Sequence, residues 1–320
     1  MTDSRPVLVS GVKPTGDLHI GNYFGAMRQF VELIQTGKYR PFIFVADYHA
    51  MTTLKNPEEM RQRTRELVMS YLAIGLDPKE VIFFRQSDVP AHTELAWIFE
   101  TITTVPYLMR AHAFKDAEAK NKEINAGTFN YPMLMAADIL LYDAAIVPVG
   151  QDQKQHIEYA RDAAEKFNYV FKTNLFKLPE QYIMPEVAVV PGTDGQKMSK
   201  SYGNVIPLFG SHDELAKAVM SIVTDSSGEL PQNVYAIHAL VRSKEELKKM
   251  YDEHRGNYKM LKEFLIEDLD RYLAPIRAKY EELQNDSSIV EDVLAKGMLE
   301  ARVVSESKME AVRRAIGVAN

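Results

Sequence analysis

The sequence predicts an α/β protein: a largely parallel sheet with helices on both faces, followed by a smaller, mainly helical region. Three observations carry this. Over the first half, short apolar runs bounded by turn residues alternate with segments of helical periodicity. The strand candidates are apolar throughout, as in a sheet covered on both sides. Beyond about residue 206, only helical patterns of comparable quality remain.

Taken in order, Val7–Ser10 is a strand that ends in Gly11, and Pro14, Thr15 and Gly16 mark the loop behind it. Phe24, Met27, Val31 and Ile34 then recur three or four residues apart, the signature of a half-buried helix. Pro41–Ala46 is the second strand. Pro57 opens a helix that reaches Ile74, with Leu67, Val68, Tyr71 and Leu72 on one side. Arg61, Arg63, Arg65 and Glu66 read as its solvated face. Val81–Phe84 and Ile146–Val149 are further strands, and Ala91–Thr103 and Gln151–Asn168 further helices. Between them, Lys115–Thr128 is polar and glycine-containing, a mobile loop or a helix pair. Asp213–Val223, Lys244–Tyr251, Lys259–Lys279 and Ser287–Ile316 form the helical region. Ligands of parallel sheets sit beyond the carboxyl ends of the strands. Gly11–Asn22, Asp47–His49 and Gly150–Gln153 all follow strands and are expected to converge there.

Composition narrows the class. A chain of 320 residues, 46% hydrophobic and 26% charged, is an ordinary globular protein with room for a substantial core. With 38 basic and 44 acidic side chains, the net charge of -6 argues against non-specific coating of nucleic acid but permits a local basic patch. The chain has no cysteine, which excludes disulfides and thiolate-bound metals. Neither a signal peptide nor a run of 18 apolar residues is visible, so a cytosolic enzyme away from membranes is expected.

Four constellations could carry chemistry. Pro14–Asn22 joins a strand to a helix, with Gly16 for a tight turn and Gly21 bare at the helix start, where free amides favour phosphate. The residues alone fit equally a plain strand–turn–helix junction. Lys197-Met198-Ser199-Lys200-Ser201, bounded by glycines, suits either a phosphate-gripping loop or a solvated linker. Tyr131, Met135 and Asp138 share one helical face. A carboxylate on such an apolar stripe needs a donor, from the protein's own arginine or amide or from a ligand such as an indole N–H. Finally, Val147-Pro-Val149-Gly150-Gln-Asp152-Gln153 is a strand–glycine junction fitted to hold an amino group and a ribose hydroxyl. His19, His49, His92, His112 and His156 lack metal-binding spacing, so no protein metal site is expected, and Gly-x-Ser-x-Gly is absent. His156 reads as a structural polar residue.

These motifs together resemble the bacterial tryptophanyl-tRNA synthetases, class I aminoacyl-tRNA synthetases closely related to the tyrosyl enzymes. His19-Ile20-Gly21-Asn22 is similar to the family's HIGH element, with Asn22 in place of its second histidine, and Lys197–Ser201 matches the KMSKS loop without change. Met135-Ala-Ala-Asp138-Ile-Leu-Leu-Tyr142 resembles the tryptophan-specific helix. The likeness covers Val7 to about Val318. It implies a Rossmann-like catalytic domain over 1–206 with a helical insertion around 104–140. A helical tRNA anticodon-side domain would cover 207–295, and a C-terminal helix, 296–320, would pack back on the catalytic domain.

The resemblance also implies roles. Asp138 accepts the indole N–H, Met135 packs on the ring, Tyr131 and Gln153 hold the α-amino group, and Val9, Val147 and Val149 line the indole pocket. Lys13, Thr15, Gly16, His19, Gly21, Asn22, Gly150, Asp152 and the five KMSKS residues lie on the ATP side. Lys197, Lys200, Lys115 and His19 serve the phosphates, with magnesium carried on ATP. Val9 and Lys13 stand where many relatives have phenylalanine and glutamine, which implies a looser or repacked pocket and an added cation near the carboxylate or phosphates. The implied partners are L-tryptophan, ATP, tRNA(Trp) and a second copy of the chain, and the implied reaction is tryptophan–tRNA ligation. A tyrosine–tRNA ligase and a non-catalytic paralogue that binds nucleotide or RNA are the alternatives.

Overall fold

The computed structural model describes residues 3–119, 124–149, 154–183, 189–224, 230–286 and 288–318. Five strands, β1 (Val7–Val12), β2 (Arg40–Val45), β3 (Ile82–Arg85), β4 (Ile146–Val149) and β5 (Glu180–Ile183), form one sheet in the order β3-β2-β1-β4-β5. Every neighbouring pair is parallel. The strand order reverses between β1 and β4, which places a crevice at their carboxyl ends. β5 was not foreseen. Its Glu180 and Gln181 are exposed at the sheet edge, so it lacks the apolar signal of the buried strands.

The helices follow the chain. β1 leads into α1 (Ile20–Asn22), a π turn over Tyr23–Met27 and α2 (Arg28–Gln35), a continuous rod with a bulge of the kind that collects at functional sites. After β2 come α3 (Asp47–Ala50) and α4 (Pro57–Ala73), whose Asn56 cap accepts from the Glu58 and Glu59 amides while Pro57 opens the first turn. After β3 come α5 (Ala91–Ile102), α6 (Val105–Leu108), α7 (His112–Ala119) and α8 (Ala126–Leu140). Helices thus occupy both ends of Lys115–Thr128. α9 (Lys154–Val170) links β4 to β5.

Among the described residues, the elements after β5 are a 3-10 turn at Lys200–Tyr202 and the helices α10 (His212–Met220), α11 (Gln232–His238), α12 (Lys244–Glu253), α13 (Tyr258–Asn285) and α14 (Ser288–Ile316). Ser211 with Glu214, and Ser243 with Glu246, form capping boxes on α10 and α12. Lys262 of α13 donates to the Met220 and Ile222 carbonyls at 2.9 and 2.6 Å, closing the carboxyl end of α10.

Strand alternation splits the core between the two faces of the sheet. Leu8, Ile43, Val45 and Phe83 face α2, α4, α10, α11 and α13. Val9, Phe42, Phe44, Ile82 and Phe84 face α5, α8 and α9. α14, expected over Ser287–Ile316 and found over Ser288–Ile316, crosses the sheet edge. Its Val290 and Leu294 join the first cluster, and Ala301, Met309 and Val312 the second. The crossing is at Gly297, where a Cβ would lie 1.9 Å from the Phe83 carbonyl oxygen, so only glycine lets the helix lie flat on β3. Arg313 to Glu94 and Lys308 to Asp143 fasten the far half.

Candidate active site

A cavity of about 550 Å³ opens at the β1/β4 reversal. β1 and the residues after it supply Val9, Ser10, Gly11 and Lys13; β4 supplies Val147, Pro148 and Val149; α8 supplies Thr128, Tyr131, Met135, Asp138 and Ile139. Phe44 and His49 come from β2 and α3, and His156 from α9. Phe44 is paired with Gly11 across the strands, and a Cβ on Gly11 would lie 2.5 Å from its ring. Glycine therefore lets Phe44 form an aromatic wall beside the small Val9. The Tyr131 hydroxyl is 3.0 Å from His156 Nε2. Lys13 reaches the cavity with part of its chain exposed, and burial lowers the pKa of its ammonium.

Asp138 is the most confined polar group here, 1% exposed at the end of α8. His92 Nδ1 and Gln86 Nε2 donate to its Oδ1 at 2.6 and 2.7 Å, and His49 Nε2 donates to its Oδ2 at 2.8 Å. Burial pushes the carboxyl pKa up, but the His49 and His92 hydrogen bonds more than offset this and hold it at about 2. It is an ionised acceptor in an apolar frame. Its donors are imidazoles and an amide of the protein itself.

A second arrangement joins the two short motifs. Ile20 N–H donates to the Ile206 carbonyl and Leu208 N–H to Leu18, both at 3.0 Å, so the turn before α1 is sewn to the segment that follows Lys197–Ser201. Lys200 Nζ donates to the Thr15 carbonyl at 3.2 Å. At Gly16, φ is +82°, and a Cβ there would lie 3.4 Å from Arg63 Nε and 3.6 Å from Lys200 Nζ. Two cations thus flank the turn, with Asp17 and Glu66 acting on Lys200 from nearby. Partial burial lowers the Lys200 pKa. His19 is buried with its Nδ1 unpartnered, and its pKa is lowered to about 4 by burial and then by the charge of Lys200. Asn204 braces the loop: its Oδ1 accepts from Ser199 N–H at 2.7 Å, and its Nδ2 donates to Asp194 and to the Lys197 carbonyl.

The chain matches the family model for tRNA synthetases class I (W and Y) over residues 1–286. It is 45% identical to the tryptophan–tRNA ligase of Fusobacterium nucleatum over 318 residues, 97% of each chain. The solved tryptophanyl-tRNA synthetase of Campylobacter jejuni, complexed with ADP and tryptophan, superimposes with a TM-score of 0.90 at 41% identity, over 97% of this chain and 99% of that one. The chain belongs to the tryptophanyl-tRNA synthetases. The same enzyme from Mycoplasma pneumoniae, at 29% identity, still gives a TM-score of 0.80 over 98% of each chain.

Seen as a tryptophanyl-tRNA synthetase, the chain separates its motif residues into two places. Val9, Lys13, Tyr131, Met135, Asp138, Val147 and Val149 line the cavity. Thr15, Gly16, His19, Gly21 and Asn22 form the sewn turn; of the Lys197–Ser201 loop, Lys200 reaches it at Thr15 and Gly16 and Met198 at Gly21, while Lys197 and Ser199 are held by Asn204. Within that turn, Asn22 Oδ1 accepts from the His19 amide at 3.1 Å. A Cβ at Gly21 would press on the His19 ring at 2.9 Å and on Met198 Cβ at 3.1 Å. Protein atoms, rather than an approaching phosphate, account for that glycine in this state. Met198 is likewise engaged with the protein: its side chain is buried in the core and its amide donates to the Val190 carbonyl.

Lys115 is exposed on α7 and is not among the residues that line the cavity. Gly150, Asp152 and Gln153 lie outside the described residues. Sequence reasoning brought Asp47–His49 to the crevice, where His49 lies, but missed Gln86 and His92 and the bonds of all three to Asp138, from which they lie 89 (His49), 52 (Gln86) and 46 (His92) residues away. It also placed Arg63 on a solvated face, although Arg63 reaches the Gly16 turn.

Proposed function

We propose that the cavity is the tryptophan pocket and the sewn turn the phosphate subsite of a tryptophan–tRNA ligase. The chain activates L-tryptophan with ATP, forming tryptophanyl-adenylate and pyrophosphate, and transfers the amino acid to the 3′ adenosine of tRNA(Trp). The tyrosine alternative falls away with the relatives above 40% identity, which are tryptophan enzymes.

Asp138 carries the pocket reading. Its carboxylate offers about four acceptor sites and three are in use, so one lone pair remains on Oδ2 for an indole N–H. Val9, Val147, Val149, Met135 and the Phe44 wall surround a flat apolar ring, while Tyr131 and Gln153 take the α-amino group. In activation, a carboxylate oxygen of tryptophan bonds to the α-phosphorus of ATP as the bond to pyrophosphate breaks. No protein nucleophile is needed, only alignment and charge. Lys197 and Lys200 meet the negative charge that builds on the leaving phosphates. His19, neutral above its lowered pKa, can donate one N–H there without adding charge.

Lys13 stands between pocket and phosphates as the added cation. Lys115 acts from α7, and Gly150 and Asp152 hold the nucleotide, on the strength of the resemblance. Magnesium would travel on the ATP phosphates and neutralise part of their charge. Among the described residues, no group of three or more His, Asp or Glu is placed to hold a metal ion.

The division into a catalytic domain, a helical anticodon-side domain and a returning terminal helix is functional rather than a break in packing, since one core cluster runs from the sheet into α10, α11 and α13. A homodimer is supported by large apolar side chains left exposed on α5, α6 and the residue after it: Trp97 at 67%, Val105 at 60% and Met109 at 45%. Among the described residues no helix is long and apolar enough to cross a membrane. Because its partners are ATP and tRNA, we place the enzyme in the cytoplasm.

Amino-acid-dependent ATP–pyrophosphate exchange, with tryptophan, tyrosine and phenylalanine in parallel, tests the reading. Exchange with tryptophan alone is expected. Preference for tyrosine would overturn the role of Asp138, and no exchange in folded protein would restore the non-catalytic alternative.

A further inference from the structure

Asp138 lies in the last turn of α8 and Tyr142 two residues beyond its end, and His92 from the first turn of α5 spans them. An ionised carboxylate only accepts, so the hydrogen bond to Asp138 puts the His92 proton on Nδ1. His92 Nε2 is 2.8 Å from the Tyr142 hydroxyl. Tyr142 is 2% exposed, and among the described residues its hydroxyl has no other hydrogen-bond partner. A second proton on Nε2 would leave the phenolic hydrogen without an acceptor. Phe42 stacks on Tyr142 at 4.7 Å, and Phe44 and Phe84 pack against His92, so water does not offer a substitute.

We propose that Tyr142 and His92 are positioning residues for tryptophan selection. The Tyr142 hydroxyl donates to His92 Nε2, the ring is fixed as the neutral Nδ1–H tautomer, and Asp138 is thereby kept ionised with one Oδ2 lone pair for the indole N–H. The inference rests on the reading of Asp138 as indole acceptor. The opposite tautomer would set a lone pair of His92 against Asp138 Oδ1. The carboxyl would then take up a proton or turn, and either change removes the acceptor that the indole meets.

Two measurements on the full-length enzyme test this. In wild-type protein, long-range proton–nitrogen correlation of the eight histidines should show His92 as the Nδ1–H tautomer. Tyr142→Phe keeps the aromatic stack and removes only the hydroxyl. It should mix the His92 tautomers and raise the tryptophan KM in exchange by about five-fold or more, with kcat and the ATP KM unchanged. Asp138→Asn serves as the reference for the underlying reading. If Asp138→Asn raises the tryptophan KM while Tyr142→Phe changes neither tautomer nor KM, the relay is overturned and the acceptor role stands. If Asp138→Asn leaves the KM alone, the acceptor reading fails and the relay with it. A wild-type His92 found as the Nε2–H tautomer or as imidazolium overturns the relay directly, whatever the variants do. Lower thermal stability of Tyr142→Phe with an unmoved KM assigns the hydroxyl a structural role only, and also overturns it.

Discussion

The proposed tryptophan pocket and the proposed phosphate turn both follow the carboxyl end of β1, yet they are built in opposite ways. Asp138 is buried and held by three donors inside an aromatic frame. Lys200 is exposed and tethered by one long hydrogen bond to a backbone carbonyl. The difference follows from what each is proposed to recognise. Telling one flat apolar side chain from another requires an acceptor fixed before the ligand arrives, since an unpaired buried group enforces the choice. Stabilising charge that grows on a leaving group requires cations that can follow it.

The largest test of this contrast is Asp138→Asn. The substitution leaves an oxygen for His92 and Gln86 but presents a donor toward His49 and the indole. The tryptophan kcat/KM should fall on the order of 100-fold, with the ATP KM within about two-fold. An equal rise in both KM values would show that the two sides are not separable. Lys200→Ala should do the reverse. Activation slows at least about ten-fold while tryptophan binding is nearly intact, as read by pre-steady-state ATP consumption. An unchanged rate would remove Lys200 from the mechanism.

Acid should also distinguish the sides. The His19 pKa, lowered to about 4 from 6.5, means the folded protein binds fewer protons than the unfolded chain between those values. Its contribution to stability is complete above pH 6.5 and is lost as pH falls toward 4. His238, lowered by burial despite its bond to Asp268, acts in the same direction. Asp138, lowered to about 2 from 3.8, loses its contribution only below pH 3.8. Urea titrations should therefore show stability declining by on the order of 1–3 kcal/mol between pH 6.5 and 4. A flat profile over that interval would mean His19 is not held neutral. The smallest effect is expected at Arg63→Gln. The ATP KM should rise by about two-fold and the tryptophan KM stay constant, because the side chain acts through charge from the edge of the turn. A change in the tryptophan KM instead would place Arg63 on the wrong side of the comparison.

Much of the scaffold was legible beforehand. The four buried strands, the long helices and the helical second half follow from local apolar runs and periodicity, which the chain carries wherever an element buries one face. β5 was not legible because an edge strand need not be apolar, as Glu180 and Gln181 show. Nor was the crossing of α14 at Gly297, since a glycine inside a helix looks like a weakness until a neighbouring carbonyl is found against it.

What the sequence determined by itself is the element order, the apolar stripes and the presence of Asp138 and of the His19–Asn22 and Lys197–Ser201 motifs, because each is written in contiguous residues. Only the tertiary structure decided who satisfies Asp138 and what faces Gly16. Hydrogen bonds and charge depend on distance in space, and the chain brings His49, His92, Gln86 and Arg63 to those points from four separate elements.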